Sequence, residues 1–241
     1  MIVLLSFIMA VAPAVLLVLY YLRNDRLRPE PKGAILRIFF LGVIFTLPTV
    51  SLELLVGLAA GHFQFNPMVH YFIRAFIVAA LCEELFKLTI VIHFAYPRVM
   101  FDEVMDGIIY CIVASLGFAC MENILFTLGG GLGTAIVRAI TAIPLHATAS
   151  GIMGYYIGLA KFASSRRRET VLIYKGLAIA VLIHGVYDFL LFATPDLSLV
   201  ASIGVYLLLL FSFLLLRNRI NLAISLDIRA GRTVAAADVA E

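Results

Sequence analysis

The chain has 241 residues, of which 63% are hydrophobic, and a formal net charge of +3. A soluble domain is typically about 45–50% apolar, so this composition excludes a soluble globular protein and indicates a chain that resides in lipid. The net charge says little by itself, and we expect no nucleic-acid partner.

Seven apolar stretches follow one another along the chain, and each is long enough to cross a bilayer, for which about 20 residues suffice. The sequence therefore predicts an all-α, polytopic membrane protein in which residues 1–216 form a single transmembrane domain. Residues 217–241 are predicted to form a cytoplasmic tail that is partly disordered. We place the seven spans at residues 2–22, 34–60, 69–95, 104–128, 134–160, 171–193 and 198–216.

The basic residues are concentrated in alternate loops. Fifteen of the 18 Lys and Arg residues lie in or beside the breaks after spans 1, 3 and 5 or in the tail, and none lies in 61–68, 129–133 or 194–197. Because cytoplasmic loops carry an excess of Lys and Arg, we expect the N-terminus outside and the C-terminus in the cytoplasm. The other three basic residues fall within spans, at Arg74, Lys87 and Arg138.

Span 3 carries the sequence "CEELFK", with Glu83, Glu84 and Lys87 inside an apolar run. A charge near the middle of a transmembrane helix costs about 2.5–3.5 kcal/mol, so such residues usually face the bundle interior and mark function. Lys87 follows the two glutamates by four and three residues and can neutralise either one. Since the glutamates are about 100° apart around the helix, we expect one to face a cavity and the other to pair with Lys87.

Spans 4 and 5 add a second polar group. "FACMEN" places Glu122 beside Asn123, and Arg138 lies near the outer end of span 5, where it could pair with Glu122. His146 follows Pro144, which is predicted to kink span 5 beside a water-filled cavity. Small residues spaced three and four apart in span 5 predict close helix packing and a central position for this span; they are Ala147, Gly151, Gly154 and Gly158.

Span 6 contains "HGVYD", which places His184 and Asp188 on one face of a helix, four residues apart. This spacing suits a metal site, or a histidine that a carboxylate orients. For all of these residues the structural alternative is a polar contact between helices. Glu53 in span 2 is a lone polar residue that we interpret as a local contact.

Taken in order, three motifs resemble those of the PrsW family of intramembrane proteases. "EELFK" at 83–87 matches EExxK, "FACMEN" at 118–123 matches FxxxEN, and "HGVYD" at 184–188 matches HxxxD. The resemblance covers about residues 80–190 and is more distant to the CAAX-processing and bacteriocin-immunity membrane proteases. It implies hydrolysis of a peptide bond of a single-pass membrane protein, such as an anti-sigma factor, cut first on the extracytoplasmic side of a bacterial-type plasma membrane.

Amide hydrolysis needs a base for water, a stabiliser for the oxyanion and an acid for the leaving amine. By similarity to the CAAX-processing group, Glu83 is the predicted base, with Glu84 and Lys87 as its electrostatic partners. The histidines would hold the oxyanion or protonate the amine, while Arg138 would support the substrate or the oxyanion. The full catalytic set is Glu83, Glu84, Lys87, Glu122, Asn123, His146, His184 and Asp188.

Two alternatives remain open on the sequence. Zinc could be bound by ligands from separate helices, drawn from Glu84, Glu122, His146, His184 and Asp188, although no HExxH motif is present; catalysis without a metal is slightly favoured. A proton-coupled transporter also uses carboxylates and histidines in a midplane cavity. A serine–histidine reading through Ser150 is disfavoured, because the GxSG pattern is broken.

Overall fold

The computed structural model describes residues 2–23 and 28–232, and all the regular elements in these two ranges are helices. The stretch before the glutamate pair is a π-helix, Ile73–Leu81, which joins the α-helices Pro67–Phe72 and Cys82–Phe94 without a break. The α-helices are α1 (Ile2–Leu22), α2 (Lys32–Gly61), α3 (Pro67–Phe72), α4 (Cys82–Phe94), α5 (Val104–Ile140), α6 (Ala142–Lys161), α7 (Arg166–Phe192) and α8 (Thr194–Arg229).

The all-α fold is confirmed, and every predicted span falls on helical structure. Within the described residues, four segments are long and apolar enough to cross a membrane by length and composition: Lys32–Gly61, Val104–Lys161, Arg166–Phe192 and Leu199–Arg229. The Phe7–Leu22 part of α1 is a shorter apolar segment. The protein therefore has the helical content of a multi-pass membrane protein, while the count of seven spans and the orientation of the termini stay predictions.

Helices α5 and α6 form the centre of the bundle, and their backbones touch through glycine. A Cβ atom on Gly154 would lie 2.2 Å from the carbonyl oxygen of Gly107, and one on Gly158 would lie 2.2 Å from the carbonyl oxygen of Val104. Most of the fully buried side chains belong to these two helices. The predicted close packing and central position of this segment are therefore confirmed.

The chain reverses between the fourth and fifth predicted spans at a glycine. Gly131, within the predicted loop "GGGLG", has φ 71° and interrupts the helical backbone of α5, a conformation that glycine adopts without steric cost. A second break falls at Thr141. Pro144 lies in the first turn of α6, where a missing N–H costs nothing, so the expected kink is replaced by a helix start two residues earlier, at Ala142.

Helices α2 and α8 cover the centre on its outside and expose apolar side chains. The exposed residues include Leu54, Leu55 and Leu58 on α2 and Leu207 and Leu210 on α8, each more than half exposed. A soluble monomer rarely exposes so much contiguous apolar surface. These faces are therefore suited to contact with lipid acyl chains.

Helix α8 extends well beyond the predicted seventh span and is tied to the centre at its far end. It continues to Arg229, so the first part of the predicted tail is helical, and residues 233–241 lie outside the described residues. The buried carboxylate of Asp227 accepts hydrogen bonds from the backbone N–H groups of Val104 and Met105, at 2.9 and 3.1 Å. It thereby satisfies two of the donors that the start of α5 leaves unpaired.

Candidate active site

Lys87 lies at the centre of a buried polar cluster. Its ammonium group donates to Glu83 Oε2 at 3.0 Å and to Glu84 Oε1 at 2.7 Å. It also lies 2.8 Å from His146 Nδ1 on α6, and its side chain is 0% exposed. The expectation that only one glutamate pairs with Lys87 is therefore wrong, because the long side chain reaches between the positions three and four residues before it.

Glu84 forms hydrogen bonds with three side chains of the cluster. Besides Lys87, it accepts from His184 Nδ1 at 3.0 Å through Oε1 and from the hydroxyl of Ser150 at 2.9 Å through Oε2. The Ser150 hydroxyl is also 2.9 Å from that of Ser115, which in turn donates to the backbone carbonyl of His146. Glu84 therefore connects α4 to both α6 and α7 and holds the two histidine-bearing helices together.

His146 is oriented by a second carboxylate. Its Nε2 lies 2.9 Å from Glu122 Oε2, and the same oxygen forms an ion pair at 2.9 Å with Arg138 Nη2. Arg138 Nε donates to Asn123 Oδ1 at 2.9 Å, and Asn123 Nδ2 donates to the backbone carbonyl of Ala10 on α1. Since Lys87 donates to Nδ1, the proton on His146 is assigned to Nε2, where it is donated to Glu122.

His184 is also oriented by a carboxylate, but through its Nδ1 atom. Its Nδ1 donates to Glu84, which leaves Nε2 as the nitrogen that faces Glu83 Oε2 at 3.9 Å and Asp188 Oδ2 at 3.4 Å. A Cβ atom on Gly185 would lie 2.3 Å from the Phe76 ring, so glycine is required for α7 to approach the π-helical segment this closely. The π-helix therefore packs beside the histidine that completes the cluster.

The structure brings all of the sequence-predicted site residues into one connected network. Glu83, His146 and His184 form its innermost part, because one possible ligand atom from each lies within 4.8 Å of those of the other two. Glu83 Oε2 lies 3.8 Å from His146 Nδ1. Asn123 and Arg138 lie at the periphery, where they support Glu122 rather than face the three inner residues.

This inner group fits a zinc ion by the chemistry of its donors. Two imidazoles and one carboxylate are a ligand set of catalytic zinc sites, which keep a further position open for water. Each histidine also donates its other N–H to a carboxylate, His146 to Glu122 and His184 to Glu84, as metal-binding histidines almost always do. Of the predicted ligands, His146 and His184 belong to this group, and Glu84, Glu122 and Asp188 lie beside them. Its carboxylate is Glu83, which the sequence interpretation took for the base.

Glu53 is a neighbour of the cluster that the sequence interpretation took for a local contact. Its Oε1 atom is buried and has no hydrogen-bond partner among the residues that the structure describes, and its carboxylate interacts electrostatically with Glu83 and Glu122. The signal was the spacing of Thr46, Thr49 and Glu53, which puts three polar residues on one face of α2. The Thr46 hydroxyl contacts the backbone carbonyl of Phe118 on α5, so this face is turned toward the centre.

The fold and the site together define a class of protein. Ionisable side chains from α4, α5, α6 and α7 meet in the buried centre of an apolar helical bundle, and they include the groups that activate water in hydrolases. Such a centre in a membrane protein is a functional site by default. The class is that of membrane-embedded hydrolases.

Comparison with known proteins identifies the family within this class. Residues 30–216 match the model of the PrsW family of intramembrane metalloproteases. Protease PrsW of Geobacillus kaustophilus is 41% identical over 183 residues, which are 76% of this chain and 78% of that protein. Protease PrsW of Bacillus subtilis is 36% identical over 186 residues, 77% of this chain and 82% of that protein.

Protease PrsW of Clostridioides difficile is 30% identical over 210 residues, which are 85% of this chain and 86% of that protein. No solved structure matches the chain. The chain belongs to the PrsW family and is a hydrolase that acts as an intramembrane protease. The resemblance of the three motifs is therefore confirmed, and the transporter alternative is set aside.

Proposed function

We propose that this protein is an intramembrane endopeptidase that hydrolyses a peptide bond of a single-pass membrane protein at the Glu83–His146–His184 centre. The observation that carries the proposal is that these three side chains converge from three helices. One nitrogen or carboxylate oxygen of each lies within 4.8 Å of those of the other two. All three are at least 96% buried in an otherwise apolar bundle. A cluster this costly to bury is retained for chemistry rather than for packing.

The neighbouring residues divide the remaining tasks of the mechanism. Glu83 lies where it can hold the attacking water, because it carries fewer hydrogen bonds than Glu84 and faces both imidazoles. Glu84 orients His184, and Glu122 orients His146, so both rings keep one tautomer. In the version without a metal, His184, with Asp188 beside its Nε2, is placed to protonate the leaving amine. Lys87 supplies the positive charge that balances the developing oxyanion.

Glu83, His146 and His184 would hold a zinc ion, for which His146 would have to offer the Nδ1 atom that accepts from Lys87. Glu84 and Glu122 would orient the two histidine ligands. When bound, zinc supplies Lewis-acid polarisation of the scissile carbonyl and makes a bound water more acidic. The family to which the chain belongs is described as a metalloprotease family, which supports this version of the mechanism over the one without a metal.

One observation favours catalysis without a metal as the second candidate. The Lys87 ammonium lies 3.0 Å from Glu83 Oε2 and 2.8 Å from His146 Nδ1, so one positive charge already serves two of the three inner residues. In this version Glu83 itself takes the proton from water. The metal content of the purified protein separates the two: a stoichiometric zinc ion that is lost in His146→Ala and His184→Ala supports the metalloprotease, whereas full activity without any metal supports Glu83 as the base.

We further propose seven membrane spans, an external N-terminus, a cytoplasmic C-terminus and residence in a bacterial-type plasma membrane. The concentration of basic residues in alternate loops supports this orientation. The cut then falls first on the extracytoplasmic side of a single-pass substrate, for which an anti-sigma factor is the proposed class by the resemblance of the motifs. Cysteine accessibility from each side of intact cells tests the topology.

A comparison of protein N-termini in membranes tests the proposed protease function. Cells expressing the wild type are compared with cells expressing Glu83→Gln/Glu84→Gln and with cells expressing the control Glu169→Gln. Glu169 lies in the first turn of α7, about 22 Å along that helix from His184 at 1.5 Å per residue. New N-termini of single-pass proteins are expected with the wild type and the control only. The same N-termini with the double variant would contradict the proposal.

A further inference from the structure

A second polar feature lies far from the catalytic cluster, at the end of the bundle predicted to face the cytoplasm. There the start of α2, the end of α4 and the loop before α5 enclose a cavity of about 280 Å³. Its lining includes Arg37 from α2 and Arg98 from the loop, together with Phe94, Met100 and Tyr110. The proteolytic mechanism uses none of these residues.

The two arginines bring positive charge to this cavity. Neither guanidinium forms an ion pair with any residue that the structure describes, and Arg37 lies over the Phe94 ring at 5.5 Å. Two acidic residues of the adjoining segments have other partners. Asp102 pairs with Arg28 at 2.6 Å, and the Tyr110 hydroxyl donates to Glu30.

The surface that continues from Arg37 along α2 is apolar and exposed. Phe40, Ile44 and Leu47 follow Arg37 by three, seven and ten residues, so they share its face of the helix. Each is more than half exposed, at 57%, 58% and 56%. An exposed apolar strip thus begins one turn beyond Arg37, which lines the cavity, and runs toward the middle of the predicted membrane span.

We propose that this cavity binds the phosphate headgroup of an anionic phospholipid, whose acyl chain lies along Phe40, Ile44 and Leu47. Arginine presents a planar fork of donors that matches a phosphate group, and basic pockets between helices on the cytoplasmic side bind lipid headgroups of this kind. A free phosphate would satisfy the arginines equally well. The apolar strip favours a lipid, because only a lipid carries an acyl chain to cover it.

The test measures lipid binding to the purified full-length protein in detergent by native mass spectrometry. Wild type is compared with Arg37→Gln/Arg98→Gln and with the control Arg167→Gln/Arg168→Gln, which removes the same charge from exposed positions at the start of α7. Phosphatidylglycerol, phosphatidylcholine and inorganic phosphate are the three probes. All substitutions are at exposed positions, and a thermal unfolding curve of each variant confirms that it is folded.

Phosphatidylglycerol is expected to bind the Arg37→Gln/Arg98→Gln variant roughly 30-fold more weakly than the wild type, from the contribution of two basic residues to an anionic headgroup. The control variant is expected to retain wild-type affinity, and phosphatidylcholine is expected to bind all three proteins alike. Equal affinity of phosphatidylglycerol for the wild type and the Arg37→Gln/Arg98→Gln variant would overturn the proposal. The proposal would also be overturned if inorganic phosphate raised the melting temperature of the wild type as much as phosphatidylglycerol does.

Discussion

Replacing Lys87 by methionine is expected to destabilise the protein strongly, because one buried cation serves two buried carboxylates. Lys87, Glu83 and Glu84 are between 0% and 5% exposed, and the two lysine–carboxylate distances are 3.0 and 2.7 Å. Removing one partner of a buried ion pair costs about 3–5 kcal/mol. We therefore expect Lys87→Met to lower the free energy of unfolding by about that amount, which corresponds to a fall in melting temperature of roughly 6–20 °C for a chain of this length.

Thermal unfolding of the purified protein in detergent measures this effect, and two further variants sharpen it. Lys87→Met/Glu84→Gln is expected to recover part of the loss, since one of the two uncompensated charges is removed with the lysine. Lys175→Met is the control, because Lys175 is exposed and lies 5.0 Å above the Tyr156 ring. A Lys87→Met protein as stable as this control, with no recovery in the double variant, would refute the reasoning.

Three further outcomes follow from the packing and from the cluster. Gly154→Ala places a methyl group 2.2 Å from a backbone oxygen and is expected to cost about 1–3 kcal/mol, whereas Gly129→Ala meets open space; melting temperatures that fall equally would contradict the packing argument. Asp227→Ala leaves two backbone N–H groups of α5 unpaired and should lower the free energy of unfolding by about 1–3 kcal/mol. Unfolding measurements that show no decrease would contradict this prediction. Ser150→Ala should retain cleavage of a membrane substrate, because the Ser150 hydroxyl donates to Glu84 and otherwise contacts the Ser115 hydroxyl. Complete inactivity would instead indicate a serine nucleophile.

The parts of the site that depend on neighbours within one helix could be predicted from the sequence. The spacing of Glu83, Glu84 and Lys87 predicted that the lysine can reach either glutamate, although not that it pairs with both. The spacing of His184 and Asp188 predicted their proximity. Both predictions needed only the period of the helix. The number of membrane crossings is a different matter, since apolar length shows which helices can cross but not which ones do.

Apart from the Arg138–Glu122 ion pair, contacts between helices could not be predicted, because they depend on how the backbone reverses and packs. His146 meets Glu122 only because the chain turns at Gly131 and again at Thr141. Glu84 accepts from Ser150 across 66 positions of the chain, and this contact depends on how α4 and α6 are placed in the bundle. Glu53 was missed for the same reason: its place near the cluster depends on which face of α2 is turned inward.

The central claim is that Glu83, His146 and His184 act as one hydrolytic centre, and the rates of single and combined variants test it most directly. The measurement uses purified protein and a single-pass substrate found by the comparison of N-termini. Residues that act as a unit lose activity together rather than additively. We therefore expect Glu83→Gln, His146→Ala and His184→Ala each to reduce the cleavage rate to background, and the triple variant to be no worse than any one of them. A near-wild-type rate in any folded single variant would contradict the account.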